Sequence, residues 1–149
     1  MMNIYVASSW RNNYQPAVIR ILKDAGYKPY DFRNPRPGDN GFRWSDIDPE
    51  WESWTTVEYR ENLIHPIAER GFKNDFEAMQ KADIGLLVLP CGRSAHTEAG
   101  WLKGVGKPVF VLFIFEAFEP ELMYKIYDGI FTNKTELLAG LKKISKEFV

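Results

Sequence analysis

The chain has 149 residues, 45% of them apolar and 26% charged, which is the composition of one globular domain and excludes disordered, fibrous and disulfide-scaffold classes. Nineteen basic residues stand against twenty acidic ones, so the formal net charge of −1 provides no basic field to hold a nucleic acid polymer through its phosphates. Cys91 is the single cysteine, the N-terminus shows no signal-peptide pattern, and the longest apolar run, Pro108–Phe115, is far shorter than the roughly 20 residues of a membrane span; a cytoplasmic protein with no membrane partner is expected.

In chain order, Asn3–Ser8 (NIYVAS) predicts a buried strand. Asn12 or Asn13 then caps a helix to about Ala25, with Val18, Ile19, Leu22 and Ala25 at helical spacing and Gly26 as its stop. Tyr27–Phe32 reads as a second strand. Arg33–Pro49 contains three prolines and two glycines and reads as a long loop. Such loops are usually functional or disordered. Here Trp44, Trp51 and Trp54 speak against disorder, and residues 33 to about 54 form an aromatic-rich insert in an otherwise single domain. Glu50–Arg70 predicts one or two helical pieces broken near His65–Pro66, and Gly71–Lys81 a further helix with Phe72, Phe76 and Met79 on one face.

Asp83–Pro90 (DIGLLVLP) is the clearest buried strand. Cys91–Ser94 reads as a tight turn, Ala95–Val105 as a helix ended by Gly106, and Pro108–Phe115 as a fourth strand. Pro120–Tyr127 predicts a short helix, Gly129–Phe131 a short fifth strand, and Asn133 with Glu136 three residues on opens a last helix to about Phe148. Strands alternating with helices imply a mostly parallel sheet covered on both faces. The expected fold is a flavodoxin-like, three-layer α/β sandwich whose five strands run in the order 2-1-3-4-5. Ligands bind such sheets beyond the carboxyl ends of the strands, where the order reverses. That point lies between the first and third strands and directs attention to Ser8–Arg11 and Cys91–Glu98.

In the first of these loops, Ser9 offers a hydroxyl and Arg11 a fork of donors for a phosphate or carboxylate, beside a helix N-terminus. Ser8, Ser9 and Asn12 read equally well as caps and turn residues. In the second, Gly92 permits a tight turn, and Arg93 and Ser94 with the following helix make another anion site. Glu98 is expected in the first turn of that helix, either facing the crevice or complementing the helix dipole. Cys91 beside His96 suggests a thiol and base only weakly, since a cysteine closing a buried strand is usually a small hydrophobe; His96 is expected among the substrate-binding residues of this loop, with Gly92, Arg93 and Ser94. With His65 and His96 as the only histidines and no HExxH or CxxC spacing, neither a metal nor a cofactor is expected. Asp75, in GFKNDFEAMQKAD, could pair with Glu98, one carboxylate attacking and the other carrying a proton.

The stretches IYVASSWRN, NDFEAMQKADIGLLVL and SAHTEAGWLKGVGKPVFVLF together resemble the nucleoside 2-deoxyribosyltransferase superfamily, which includes 2'-deoxynucleoside 5'-monophosphate N-glycosidases. Roughly a third of the chain carries the resemblance. It implies Glu98 as the nucleophile, Asp75 as the group that helps protonate the leaving base, and Tyr5 as a hydrogen-bond donor to the nucleophile. It implies Ser9 and Arg11 as phosphate contacts, a nucleoside or nucleotide as the small-molecule partner, and a homodimer or larger assembly. The Arg33–Trp54 insert and the PCGRSAH loop depart from the pattern, so Arg93 would replace another residue as an anion ligand. Trp44, Trp51 or Trp54 could stack on a base or close as a lid, or could form a satellite hydrophobic cluster. Three other readings compete. A TIR-like NAD glycohydrolase would release nicotinamide. A non-catalytic nucleotide-binding module would bind without turnover, and an oligomerising α/β domain would bind nothing.

Overall fold

The computed structural model describes residues 1–114 and 118–148. The chain divides into two compact units, Met1–Tyr30 with Lys81–Val149, and Asp31–Gln80. The first carries a five-stranded parallel sheet in the order β2-β1-β3-β4-β5, formed by β1 (Asn3–Ala7), β2 (Lys28–Tyr30), β3 (Ile84–Leu89), β4 (Val109–Phe113) and β5 (Gly129–Phe131). This is the expected strand order. Every residue of β3 is buried, as a central parallel strand covered on both faces requires. The edge strands β2 and β5 are three residues long and only partly covered. The expected strand at Tyr27–Phe32 is thus shorter, and Phe115, the expected end of the fourth strand, lies outside the described residues.

Strand alternation sorts the two faces. Ile4 and Val6 of β1, Ile84, Leu86 and Val88 of β3, and Phe110 and Leu112 of β4 form one core with two helices, α1 (Gln15–Asp24) and α5 (Lys134–Ser145). From α1 come Val18, Ile19 and Leu22, and from α5 Leu137 and Leu141, at the i, i+3, i+4 spacings of an apolar helix face. The opposite face receives α4 (Arg93–Gly104), whose Ala95, Ala99 and Leu102 are buried. Gly26 and Gly106 both take positive φ, +91° each, one residue past the C-caps of α1 and α4. The next residue reaches back in each case, Tyr27 N–H to the Leu22 carbonyl and Lys107 N–H to the Leu102 carbonyl, which ends both helices in the same way.

The second unit holds α2 (Thr56–Asn62) and most of α3 (Pro66–Lys81). The helical piece expected after the His65–Pro66 break and the helix expected from Gly71 form one helix that begins at Pro66, where proline has no N–H to lose and is already set to helical φ. Thr55 and Glu58 close a capping box that opens α2, a signal present in the sequence and overlooked there. At the last helix Asn133 accepts the Glu136 N–H as expected, but the Glu136 carboxylate turns to the N–H and hydroxyl of Thr132. Among the described residues, no helix is long and apolar enough to cross a membrane.

Candidate functional site

The first unit builds its site where β1 and β3 end side by side. Tyr5 lies on the α4 face of β1 and is only 1% exposed. In register beside it stand Tyr30 on β2 and Gly85 on β3. The two tyrosine rings stack with centroids 5.3 Å apart, which fixes the phenol of Tyr5 from one side. On the other side Gly85 leaves room for α4. A Cβ at that position would meet Leu102 Cδ1 at 2.8 Å, so any larger residue there requires the Leu102 side chain to shift. One helical turn earlier on the same stripe comes Glu98, and its Oε2 accepts a hydrogen bond from the Tyr5 hydroxyl. The expected pairing of Tyr5 with Glu98 is therefore present, between residues 93 positions apart.

One expectation about Glu98 needs correction. Because α4 starts at Arg93, with Gly92 as its N-cap, Glu98 falls in the second turn and the first turn holds no acidic residue. The expected Ala95 start missed this, since glycine can serve as N-cap without a side-chain oxygen. A carboxylate so far inside the helix gains little from the dipole, whose effect fades within the first turn. The dipole explanation of Glu98 therefore weakens.

Asn12 is not the helix cap expected of it. Tyr14 occupies that position without a side-chain hydrogen bond, and α1 begins at Gln15. Asn12 is buried instead, its amide donating to the carbonyls of Val88 and Pro90 while its oxygen accepts the Tyr14 N–H. Ser8 Oγ also donates to the Val88 carbonyl, at 3.0 Å. Both tie the loop after β1 to the end of β3. Ser9 Oγ accepts the Arg11 N–H at 3.1 Å, and the side chain of Arg11 is exposed. Arg93 and Ser94 occupy the first turn of α4 and are exposed. Neither α1 nor α4 carries a side-chain cap or a first-turn acid, so neither helix compensates the positive end of its dipole from within its own first turn.

Cys91 and His96 do approach each other, with Sγ and Nδ1 3.8 Å apart. Burial, with the Glu98 charge added, pushes the thiol pKa up to about 12, so Cys91 is a neutral thiol near pH 7 and a poor nucleophile. His96 is held by the Gly92 carbonyl and the Tyr124 hydroxyl. Among the described residues no group of three or more His, Cys, Asp or Glu side chains could hold a metal ion.

Asp75 and Trp44 belong to the second unit. Asp75 lies half-buried on α3. Trp44 is half-buried and meets Phe42, Trp54 and Tyr59 edge-on at centroid distances of 4.8, 5.8 and 6.0 Å. The Trp54 indole N–H donates to Asp48 Oδ2 at 2.8 Å. The sequence marked these tryptophans by their density in a polar segment, but gave no sign of Phe42 and Tyr59 as partners. Nor did it mark Tyr30 or Tyr124, which depend on strand pairing and on a contact across 28 positions.

No protein-family model matches the chain, and no curated protein matches it. Solved structures do. A 2-deoxyribosyltransferase from the psychrotolerant bacterium Bacillus psychrosaccharolyticus superposes with a TM-score of 0.62 over 91% of this chain and 90% of its own, at 20% identity. A CMP N-glycosidase of Clostridium botulinum matches at a TM-score of 0.49 and 15% identity, over 94% of this chain and 98% of its own. With its five parallel strands in the order 2-1-3-4-5 and helices around them, the chain has the α/β fold of the Bacillus deoxyribosyltransferase.

Proposed function

We propose that this protein cleaves the N-glycosidic bond of a nucleoside or nucleoside 5'-monophosphate, with Glu98 as nucleophile. The observation that carries the reading is the hydrogen bond from Tyr5 to Glu98 at the switch point of the sheet. The shared fold with a deoxyribosyltransferase agrees with it. In this reading Glu98 attacks C1' of the sugar, and the bonding pair of the C1'–N bond leaves with the base. Asp75 supplies the proton that the departing base takes up. The result is a glycosyl ester on Glu98. Water attacking C1' gives free sugar or sugar phosphate, whereas a second base gives a new nucleoside. Tyr5 holds Oε2, so that the other carboxylate oxygen faces the reacting carbon.

The uncapped starts of α1 and α4 favour an anion, which suits a 5'-phosphate held by Ser9, Arg11, Gly92 N–H, Arg93 and Ser94. Residues 1–149 act as one catalytic domain, with Asp75 of α3 as the proton donor and Trp44 of the insert as a stacking surface for the base. Exposed apolar side chains on and just after α2 (Val57, Tyr59, Leu63 and Ile64), and Leu122 and Met123 elsewhere, favour self-association, which light scattering would show as a dimer or larger species.

Base release from a panel of nucleosides, deoxynucleosides, their 5'-monophosphates and NAD tests the reading. Wild type should release base from one class. Glu98→Gln should lower that release by at least about 10³-fold with its melting temperature nearly unchanged. Tyr5→Phe should cost roughly 10- to 100-fold, the worth of one hydrogen bond to a charged group. A new nucleoside formed in the presence of a second base identifies a transferase. Nicotinamide release from NAD alone would favour a NAD glycohydrolase, and binding without turnover a nucleotide-binding module.

A further inference from the structure

We propose that His96 is a positioning residue, clamped between the first turn of α4 and Tyr124 so as to fix the rim of the crevice beside Glu98. This rests on the reading of Glu98 as nucleophile. Both ring nitrogens of His96 are engaged by the protein. Nδ1 lies 2.7 Å from the Gly92 carbonyl, and Nε2 lies 2.7 Å from the Tyr124 hydroxyl. A carbonyl can only accept, so Nδ1 carries the hydrogen. In the neutral ring Nε2 then accepts, and the Tyr124 hydroxyl donates.

Tyr124 is well placed to hold its end. It sits in the short 3₁₀ turn Leu122–Ile126 and is 8% exposed. Its ring stacks on the imidazole at 5.7 Å and meets Phe113, the last residue of β4, at 6.1 Å. Burial, with nearby acidic groups added, pushes its phenol up to about 12, so it remains a donor at neutral pH. The hydrogen bond joins residues 28 positions apart and thereby ties the 3₁₀ turn to α4. That helix has no side-chain cap at Gly92, and His96 anchors it from within, two residues ahead of Glu98. A ring bonded at both nitrogens has no position left for a substrate unless the clamp opens.

Nitrogen-15 spectra of the imidazoles test the clamp without any substrate. His65 and His96 are the only two histidines, and His96→Gln assigns the signals by loss. The neutral His96 ring should show the Nδ1–H tautomer; an Nε2–H ring would overturn the clamp. Kinetics on the substrate found by the panel test its role. Tyr124→Phe and His96→Leu should each lower kcat by about five- to tenfold, with KM moved less than about twofold. The double variant should be no worse than either single one, because both remove the same contact. His96→Gln should recover part of the loss, since its amide oxygen can accept from Tyr124. Additive losses, or a Tyr124→Phe enzyme with wild-type kcat, would overturn the positioning role. If His96→Leu does not fold, Tyr124→Phe and the tautomer carry the test. A wild type that cleaves nothing would remove the reading of Glu98, while the nitrogen-15 signal would still decide the clamp.

Discussion

The sheet unit and the Asp31–Gln80 unit hold their side chains by different means. In the sheet unit the backbone does most of the sorting. Parallel pairing places Tyr5 between Tyr30 and Gly85, and the alternation of β1, β3 and β4 sends Ile4, Leu86 and Leu112 to one helical layer and Tyr5 to the other. Between Asp31 and Gln80, by contrast, only Ala68, Asn74 and Met79 are buried among the described residues. Order there comes from side-chain contacts. Phe42, Trp54 and Tyr59 surround Trp44, and Asp39 accepts the Gly41 N–H and the Asn74 amide. A glutamate on the first kind of scaffold is held by a continuous core. Groups on the second are held by a few contacts each, so a single substitution should be felt locally.

Four substitutions and conditions would break or sharpen that contrast. The largest effect should come from Leu86→Ala, which empties a fully buried site in the centre of the sheet. It should cost about 2–5 kcal/mol in denaturant unfolding. A loss under about 1 kcal/mol would mean the core is less tightly packed than its burial indicates.

Next is Gly85→Val. Its branched side chain meets the side chains of Leu102 and Val109, and a shift of Leu102 should be passed on to α4. Overpacking of this kind costs about 1–3 kcal/mol. The proposed base-release activity should suffer more than stability, because Glu98 rides on the displaced helix. Full activity in a folded Gly85→Val protein would show that the seating of α4 does not govern Glu98.

Trp44→Ala should cost about 1–2 kcal/mol through lost area and lost edge-on ring contacts. Hydrogen exchange should rise over residues 42–59 and stay slow in β1 and β3. Unchanged kinetics alongside that loss would sink the stacking role for Trp44.

The smallest effect should appear in acid. The Glu50 N–H and the Trp54 indole hold the Asp48 carboxyl below its usual 3.8. A carboxylate with a lowered folded-state pKa contributes stability above its unfolded value and loses it as pH falls through the folded one. Wild type should therefore lose protection around Trp54 as pH drops below about 3.8, and Asp48→Asn should lack that acid-dependent step. Identical acid profiles would rule out Asp48 as its source.

These expectations also mark what the chain reveals unaided. The strands and their order were legible because a buried parallel strand needs an unbroken apolar run and a crossover needs a helix. Gly26 and Gly106 gave two helix ends, since few other residues tolerate positive φ. The start of α4 lies two residues before the expected one, while the break expected near His65–Pro66 is the start of α3, and the further division expected at Gly71 is absent. Gly92 and Pro66 act there through backbone geometry and not through a side-chain signal. Ser9, Arg11 and Glu98 stood out by lying past strand ends at the switch point, where ligands bind such sheets, although caps and the helix dipole explain Ser9 and Glu98 as well.

By itself, then, the sequence determined the layered α/β architecture and the switch point, which follow from local periodicity and turn chemistry, while the roles expected of Tyr5, Asp75 and Glu98 rested on the family resemblance. Only the tertiary structure decided that Tyr5 donates to Glu98, that Leu102 seats over Gly85, that Asn12 joins two loops, and that Tyr124 closes on His96. Those contacts join residues 17 to 93 positions apart. No local pattern encodes them, because they exist only once strand register and helix packing have brought distant parts of the chain together.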